Sequence, residues 1–207
     1  MAQAFSFRCL LAASLPLLLL AGCATAPTTQ PGVWQERDAQ LLAQSSWDLR
    51  GRIGYEYAGD GGQARLQWEQ LNDTSLIRLS GPFGAGAYTL TWEPARVTVA
   101  DAGGERSMEY LGPDAAEQFL EEQLGWLFPA GSLRFWLRGL ADPAAPREAS
   151  FADSGVLQEL TQLGWEITYD RYSDSSGILL PRRIEVANAQ VKLRIAVSNW
   201  HLSATVD

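Results

Sequence analysis

Two hydrophobic periods alternate along this chain. From Trp47 to Ala58 the residues Trp47, Leu49, Ile53, Tyr55 and Tyr57 interleave with Asp48, Arg50, Arg52 and Glu56. That period of two is the mark of a half-buried strand. Gly59 to Gly62 reads as a turn, and Ala64, Leu66 and Trp68 then alternate with Gln63, Arg65, Gln67 and Glu69 in a returning strand. Asn72-Asp73 turns the chain again into a third strand over Thr74 to Ser80, carried by Ile77 and Leu79. The run Gly81-Pro82-Phe83-Gly84-Ala85-Gly86 breaks the pattern and reads as a loop, because glycine and proline punctuate regular structure. Tyr88, Leu90 and Trp92 mark a fourth strand, Val97 and Val99 a fifth, and Met108 and Tyr110 a sixth.

The period then lengthens. Pro113 to Leu124 reads as a helix with Ala116, Phe119, Leu120 and Leu124 on one face. Pro113 suits its first turn, Asp114 and Glu117 suit its positive end, and Gly125 suits its stop. Ser132 to Arg138 reads as a second, short helix with Leu133, Trp136 and Leu137 inward and Gly139 as its end. Ala141 to Pro146 is a proline-rich link. Strands return from Ala149: Val156 to Thr161 pairs with Trp165 to Tyr172 across Leu163-Gly164, or Val156 to Leu163 forms a short helix instead. Ile184 and Val186 mark the next strand. Asn188 to Gln190 turns into Val191, Leu193, Ile195 and Val197, which alternate with Lys192, Arg194, Ala196 and Ser198. Consecutive antiparallel strands with one apolar face, interrupted by helices, predict a mainly β (α+β) fold. Its sheet is curved and its helices cover the concave side.

The N-terminus carries a different signal. Arg8 precedes an apolar run from Leu10 to Leu20 that ends in Leu20-Ala21-Gly22-Cys23. Eleven residues are too few to span a bilayer, which takes roughly 20 in a helix. A charged start, a short apolar run and a small-residue cleavage site make a secretory signal. A cysteine at the cut makes it a bacterial lipobox, so residues 1–22 read as a signal peptide and Cys23 as the lipid-bearing first residue. An ordinary signal with an incidental cysteine is the alternative. Ala24 to Gly32 reads as a flexible tether, so that residues 23–32 hold a single domain, 33–207, off a membrane. Val33 to Ser46 opens that domain as a helix.

Cleavage would leave 185 of the 207 residues, enough for one sizeable core. The second cysteine, Cys9, lies in the leader, so the mature chain has no internal disulfide. Losing Arg8, the leader's single charge, takes the balance from −8 to −9, which argues against nucleic acid as a partner. Eight tryptophans point to a very aromatic core or a large apolar cavity.

Catalytic parts are scarce. His201 is the only histidine, no Gly-x-Ser-x-Gly elbow is present, and no His/Cys cluster has metal spacing. The glycine run 81–86 lies between strands and does not open a helix, as phosphate binding would require. Glu121 and Glu122 are neighbours on a helix and face different ways. No enzyme, metal or cofactor is expected. What remains is the apolar sheet face: Trp47, Ile53, Tyr55, Leu66, Trp68, Ile77, Leu79, Tyr88, Leu90 and Trp92. These residues are either an ordinary core or the lining of an acyl-chain cavity under the helices, with Leu133 and Trp136 added from above. Phe83, between Pro82 and Gly84, either folds back or stands exposed at a loop tip, where a membrane or partner would meet it. Arg50, Arg52 and Arg65 on the first strands, and Arg182, Arg183, Lys192 and Arg194 on the last, are a solvated face or, if those strands meet, a basic patch for a partner.

These features together resemble the LolB family of outer-membrane lipoprotein receptors. The resemblance rests on the lipobox, Trp47-x-x-Arg50-Gly51-Arg52, Gly81-Pro82-Phe83-Gly84, Leu133-x-x-Trp136-x-x-Gly139, Leu163-Gly164-Trp165 and the closing Leu193 to Trp200 segment. It covers about Trp34 to Trp200. It implies an incomplete antiparallel β-barrel whose helices lid an apolar cavity. It implies that a LolA-type periplasmic carrier hands over lipoproteins by their acyl chains. The receptor, a monomer anchored through Cys23 on the periplasmic face of the outer membrane of a Gram-negative bacterium, would then insert them. The family's insertion loop carries an exposed apolar residue, commonly leucine in Pro-Leu-Gly; here Phe83 takes that place, with Pro82 and Gly84 beside it. Ala24, rather than aspartate, after the cysteine agrees with outer-membrane delivery. The net acidity departs from expectation, unless the basic strand face supplies the patch that a carrier meets.

Three rival readings are distinct. A cell-wall glycan module would need Trp and Tyr on an exposed groove. An envelope hydrolase would need carboxylates such as Asp170 and Asp174 at a working spacing. A scaffold lipoprotein would need no cavity.

Overall fold

The computed structural model describes residues 31–81, 86–101, 103–104 and 107–203. The expected leader, Cys23 with the tether up to residue 30, and Pro82, Phe83 and Gly84 lie outside the described residues. Helix α1 (Pro31–Ala43) leads into β1 (Ser46–Tyr57), β2 (Asp60–Leu71), β3 (Thr74–Ser80), β4 (Tyr88–Glu93), β5 (Arg96–Asp101) and β6 (Ser107–Leu111). Helices α2 (Ala115–Leu124) and α3 (Ala130–Trp136) follow. The chain closes with β7 (Arg147–Phe151), β8 (Leu157–Gln162), β9 (Trp165–Ser175), β10 (Ile178–Ala187) and β11 (Val191–Leu202).

All eleven strands join one antiparallel sheet in the order β6-β5-β4-β3-β2-β1-β11-β10-β9-β8-β7. Neighbours in the sheet are consecutive in the chain except at the centre, where the first and last strands pair, from Trp47 opposite Leu202 to Tyr57 opposite Val191. The edges β6 and β7 do not pair, so the barrel is unclosed, and α2 and α3 run in the link between them. Burial follows the alternation. Leu66 and Trp68 on β2, and Val191, Leu193, Ile195 and Val197 on β11, are buried, while Arg65, Gln67, Arg194 and Ala196 face out. Every residue of the described core lies between Leu41 and Val197, so the chain from Ala24 onward contains the whole of it.

Several boundaries differ from the sequence reading. Helix α1 begins at Pro31, within the expected tether. The first hairpin turns at Ala58-Gly59, with φ of 50° and 86°, and Asp60 to Gly62 belong to β2. Two left-handed residues make the tight turn whose twist matches the flanking strands, and this frees the glycines to pair. Val156 to Thr161 resolves as a strand, β8, paired with β9. Between Arg50 and Gly51 the pairing with β11 shifts by one residue, and a β-carbon at Gly51 would lie 2.4 Å from the Ala196 carbonyl oxygen. Only glycine lets β1 and β11 approach there.

Candidate functional site

The concave face of the sheet and the undersides of α2 and α3 enclose a cavity of about 120 Å³. Its walls are apolar. The sheet contributes Ile53, Leu66, Trp68, Ile77, Leu79, Leu90, Trp92, Val97 and Ile195, and the helical segment contributes Ala116, Phe119, Leu120, Ala130, Leu133 and Leu137. A dry cavity of about 150 Å³ holds one benzene ring, so this space takes about five carbons, a fraction of one acyl chain. The interior is therefore a packed core with a residual apolar pocket rather than an open bowl.

Of the residues read as the apolar face or cavity lining, Ile53, Leu66, Trp68, Ile77, Leu79, Leu90, Trp92 and Leu133 form the wall, and four do not. Trp47 is buried between Trp68 and Trp200, at ring distances of 5.8 and 5.7 Å, and fills the end of the barrel nearest α1. Trp136 is fully buried but serves as an anchor, because its indole nitrogen donates to Gln162 Oε1 at 2.8 Å. Tyr55 is 37% exposed, with its ring over Gly62 on the neighbouring strand. Tyr88 is 46% exposed at the rim, beside Gly86. Alternation named the inward face correctly. It could not show that the face ends before Tyr55 and Tyr88, where the helices no longer cover it. Ala116, Phe119 and Leu120 were legible only as a helix face, and Ala130 was hidden because the second helix starts two residues earlier than expected.

The two covering helices are held differently. Helix α3 is bolted. Gln162 is buried, and its side chain accepts from Trp136 Nε1 and from the Asp142 amide, and donates to the Asp142 and Ala145 carbonyls at 2.8 and 3.0 Å. Ser132 donates to Asp142 at 2.7 Å, and Tyr169 donates to the Trp136 carbonyl at 2.9 Å. Helices α1 and α3 also cap each other. Arg37 donates to the Arg138 and Gly139 carbonyls, and Arg138 donates to the Leu41 and Gln44 carbonyls, so each cation meets the negative end of the other helix. Burial, then the Arg134 cation, pushes the Arg138 pKa down to about 10, which leaves it charged at neutral pH. Helix α2 is held more lightly: Glu122 and Gln123 hydrogen-bond the Tyr110 side chain on β6, and Phe119 packs edge-on to the same ring at 5.6 Å. Asp114 makes no side-chain cap, and no basic residue lies in its last turn. One polar side-chain contact, Gly131 N–H to Glu117 at 3.3 Å, joins it to the start of α3.

Burial also governs the alkaline limit of stability. Tyr169 donates to a buried carbonyl and Tyr172 donates to the Leu157 carbonyl at 2.7 Å; burial raises both phenols above the ordinary value of 10, and Arg37 opposes this. Above pH 10 the unfolded chain releases these protons and the folded chain keeps them, so stability falls as pH rises. Arg138 acts in the opposite sense over the same range. The thermal midpoint should therefore drop as pH rises through 10, and less steeply in Tyr169→Phe/Tyr172→Phe; equal slopes would contradict this origin.

The outer face of the sheet carries the second feature. Arg50, Arg52, Arg65, Arg171, Arg182 and Arg183 line a groove of about 800 Å³. Lys192 and Arg194, expected on the same face, instead form an ion-pair cluster with Glu185 and Glu56 further along the strands. Asp170, a hydrolase candidate, pairs with Arg183 at 3.5 Å, and Asp174 accepts from the Gly177 amide in a turn.

The fold is a known one. A LolA superfamily protein from Nitrosomonas europaea superposes with a TM-score of 0.53 at 11% identity, covering 88% of this chain and 96% of that one. The family model described as outer membrane lipoprotein LolB matches residues 45–200. This chain belongs to the LolB family. Relatives named outer-membrane lipoprotein LolB include one from Chromohalobacter salexigens, 33% identical over 89% of this chain and 86% of its own. Another, from Pseudomonas fluorescens, is 35% identical over 89% of this chain and 91% of its own.

The geometry gives local roles to Trp47, Gly51, Trp136, Gly139 and the Leu163-Gly164 turn. Trp47 packs between Trp68 and Trp200, and Gly51 lets β1 approach β11. Trp136 bolts α3, and Gly139 ends that helix at φ +71°, where a β-carbon would sit 2.8 Å from the Tyr172 hydroxyl. Leu163 and Gly164, at φ 54° and 78°, turn β8 into β9.

Proposed function

We propose that this LolB-family chain is an outer-membrane receptor that takes lipoproteins from a LolA-type periplasmic carrier by their acyl chains and inserts them into the outer membrane. The wholly apolar cavity between the sheet and α2 carries this reading. Each methylene buried there contributes about 0.8 kcal/mol, so transfer can run downhill between apolar sites without nucleotide. The resting cavity is smaller than one chain, and α2 is the cover free to lift while α3 stays bolted. Cys23 is the anchor, Phe83 between Pro82 and Gly84 is the membrane-dipping residue, and the receptor is a non-enzymatic monomer on the periplasmic face. Trp47, Trp68, Trp126, Trp136 and Trp165 are buried, and among the described aromatics only Tyr55 and Tyr88 are exposed, which weighs against a glycan-stacking groove.

Phe83→Glu separates the two steps. The variant should accept acylated cargo from the carrier as the parent does and fail to deliver it to vesicles, as followed by cargo co-sedimentation. Normal delivery would remove Phe83 from the mechanism, and failed acceptance would place it in cargo binding instead.

A further inference from the structure

The arginine groove is not a scattered surface charge. A single cross-strand row runs over five neighbouring pairs: Ser80 opposite Arg65, Arg65 opposite Arg52, Arg52 opposite Ala196, Ala196 opposite Arg183, and Arg183 opposite Arg171. Arg50 and Arg182 flank it. Like charges directly opposite on paired strands repel. Yet among the described residues, Arg50, Arg52, Arg65, Arg171 and Arg182 form no ion pair; Asp170, on Arg183, is the one acid in ion-pair contact with the row. Elsewhere on the same face the cations are neutralised, as Arg194 and Lys192 are by Glu56 and Glu185, and Arg78 by Glu69. A chain of net charge −8 thus concentrates uncompensated guanidinium groups in one groove.

Two further observations choose the counter-ion. Guanidinium groups match phosphate oxygens with paired hydrogen bonds, and a concave groove admits head groups more readily than a flat protein face. The row is also in register with Ser80, the last residue of β3, from which the 81–87 segment departs. If Cys23 is the anchor, it lies eight positions before Pro31, so the domain stays within about 28 Å of the bilayer.

We propose that this groove binds the phosphates of anionic phospholipids and seats the sheet on the membrane with the end of β3 against the head groups. The inference rests on the outer-membrane placement proposed above, but its vesicle assay needs neither carrier nor cargo. The chain from Ala24 onward, which lacks the lipid anchor, is sedimented with vesicles of phosphatidylcholine alone or of phosphatidylcholine mixed with phosphatidylglycerol. Binding is expected to the mixed vesicles, to fall with added salt, and to be weak on phosphatidylcholine alone. Each arginine removed should weaken it about fivefold, so Arg52→Gln/Arg65→Gln/Arg183→Gln should lose on the order of 100-fold. Arg52→Lys/Arg65→Lys, which keeps the charge and loses the fork, should lose less than the corresponding glutamine pair. Lys192→Gln/Arg194→Gln, whose cations are already paired, should bind as the parent does. Equal binding to both vesicles, or a triple variant that binds like the parent, overturns the proposal. A triple variant that keeps vesicle binding but no longer takes cargo from a loaded carrier also overturns it and assigns the groove to an acidic protein. Loss of cargo acceptance in the parent chain, with vesicle binding intact, would count against the receptor reading alone.

Discussion

Gln162→Leu should lower the folding free energy by about 3 to 5 kcal/mol, the largest stability effect expected of any single side chain here. Gln162 is buried, and all its hydrogen-bonding capacity is in use: the Trp136 indole, the Asp142 amide, and the carbonyls of Asp142 and Ala145. Leucine is close in volume, so packing is largely kept while four partners, the buried Trp136 indole and three half-buried backbone groups, lose their bond. A buried polar group left alone costs about 1 to 3 kcal/mol, and some of the four will find water at the Asp142 loop, which sets the range. Because α3 covers the cavity through Leu133 and Leu137, the same change should loosen that wall. Denaturant unfolding measures the first effect. A loss below about 1 kcal/mol would mean that Gln162 does not bolt the helix.

Ala116→Leu should have the opposite profile, with stability retained and function weakened. Ala116 lies on α2 against the cavity, with Phe119 and Leu120 one turn on. The added isopropyl group, with three carbons, fits a space of about 120 Å³ that takes about five, and filling a dry cavity does not destabilise a fold. It occupies the volume that the first carbons of an acyl chain would take. Displacing about three methylenes at about 0.8 kcal/mol each predicts a drop in cargo affinity of roughly 50-fold. Unchanged acceptance by a fully stable variant would mean that acyl chains bind elsewhere.

The fold was legible because its strands have one wet face. Alternation in β1, β2 and β11 named the inward residues, and the helix spacing of Ala116, Phe119 and Leu120 named the covering face. What escaped depended on distances between elements. Trp136 has the composition of a cavity wall, and its role as a bolt exists only because Gln162 arrives from β8, 26 positions later. Tyr55 and Tyr88 keep the inward phase, yet lie past the edge of the helices. The basic face was half legible: Arg50, Arg52, Arg65 and Arg183 sit where alternation puts them, but Arg171 faces them through a shift in pairing between β9 and β10. Sequence separation also hid that Arg194 and Lys192 are neutralised by Glu56 and Glu185.

The most direct measurement is cargo transfer. The chain from Ala24 onward, mixed with a LolA-type carrier shown to be loaded with an acylated lipoprotein, is separated from it and each fraction assayed for cargo. Cargo should move to this chain, and move far less when Ala116→Leu is used. Retention by the carrier at every ratio of the parent chain would contradict an acyl-chain receptor built on the cavity under α2.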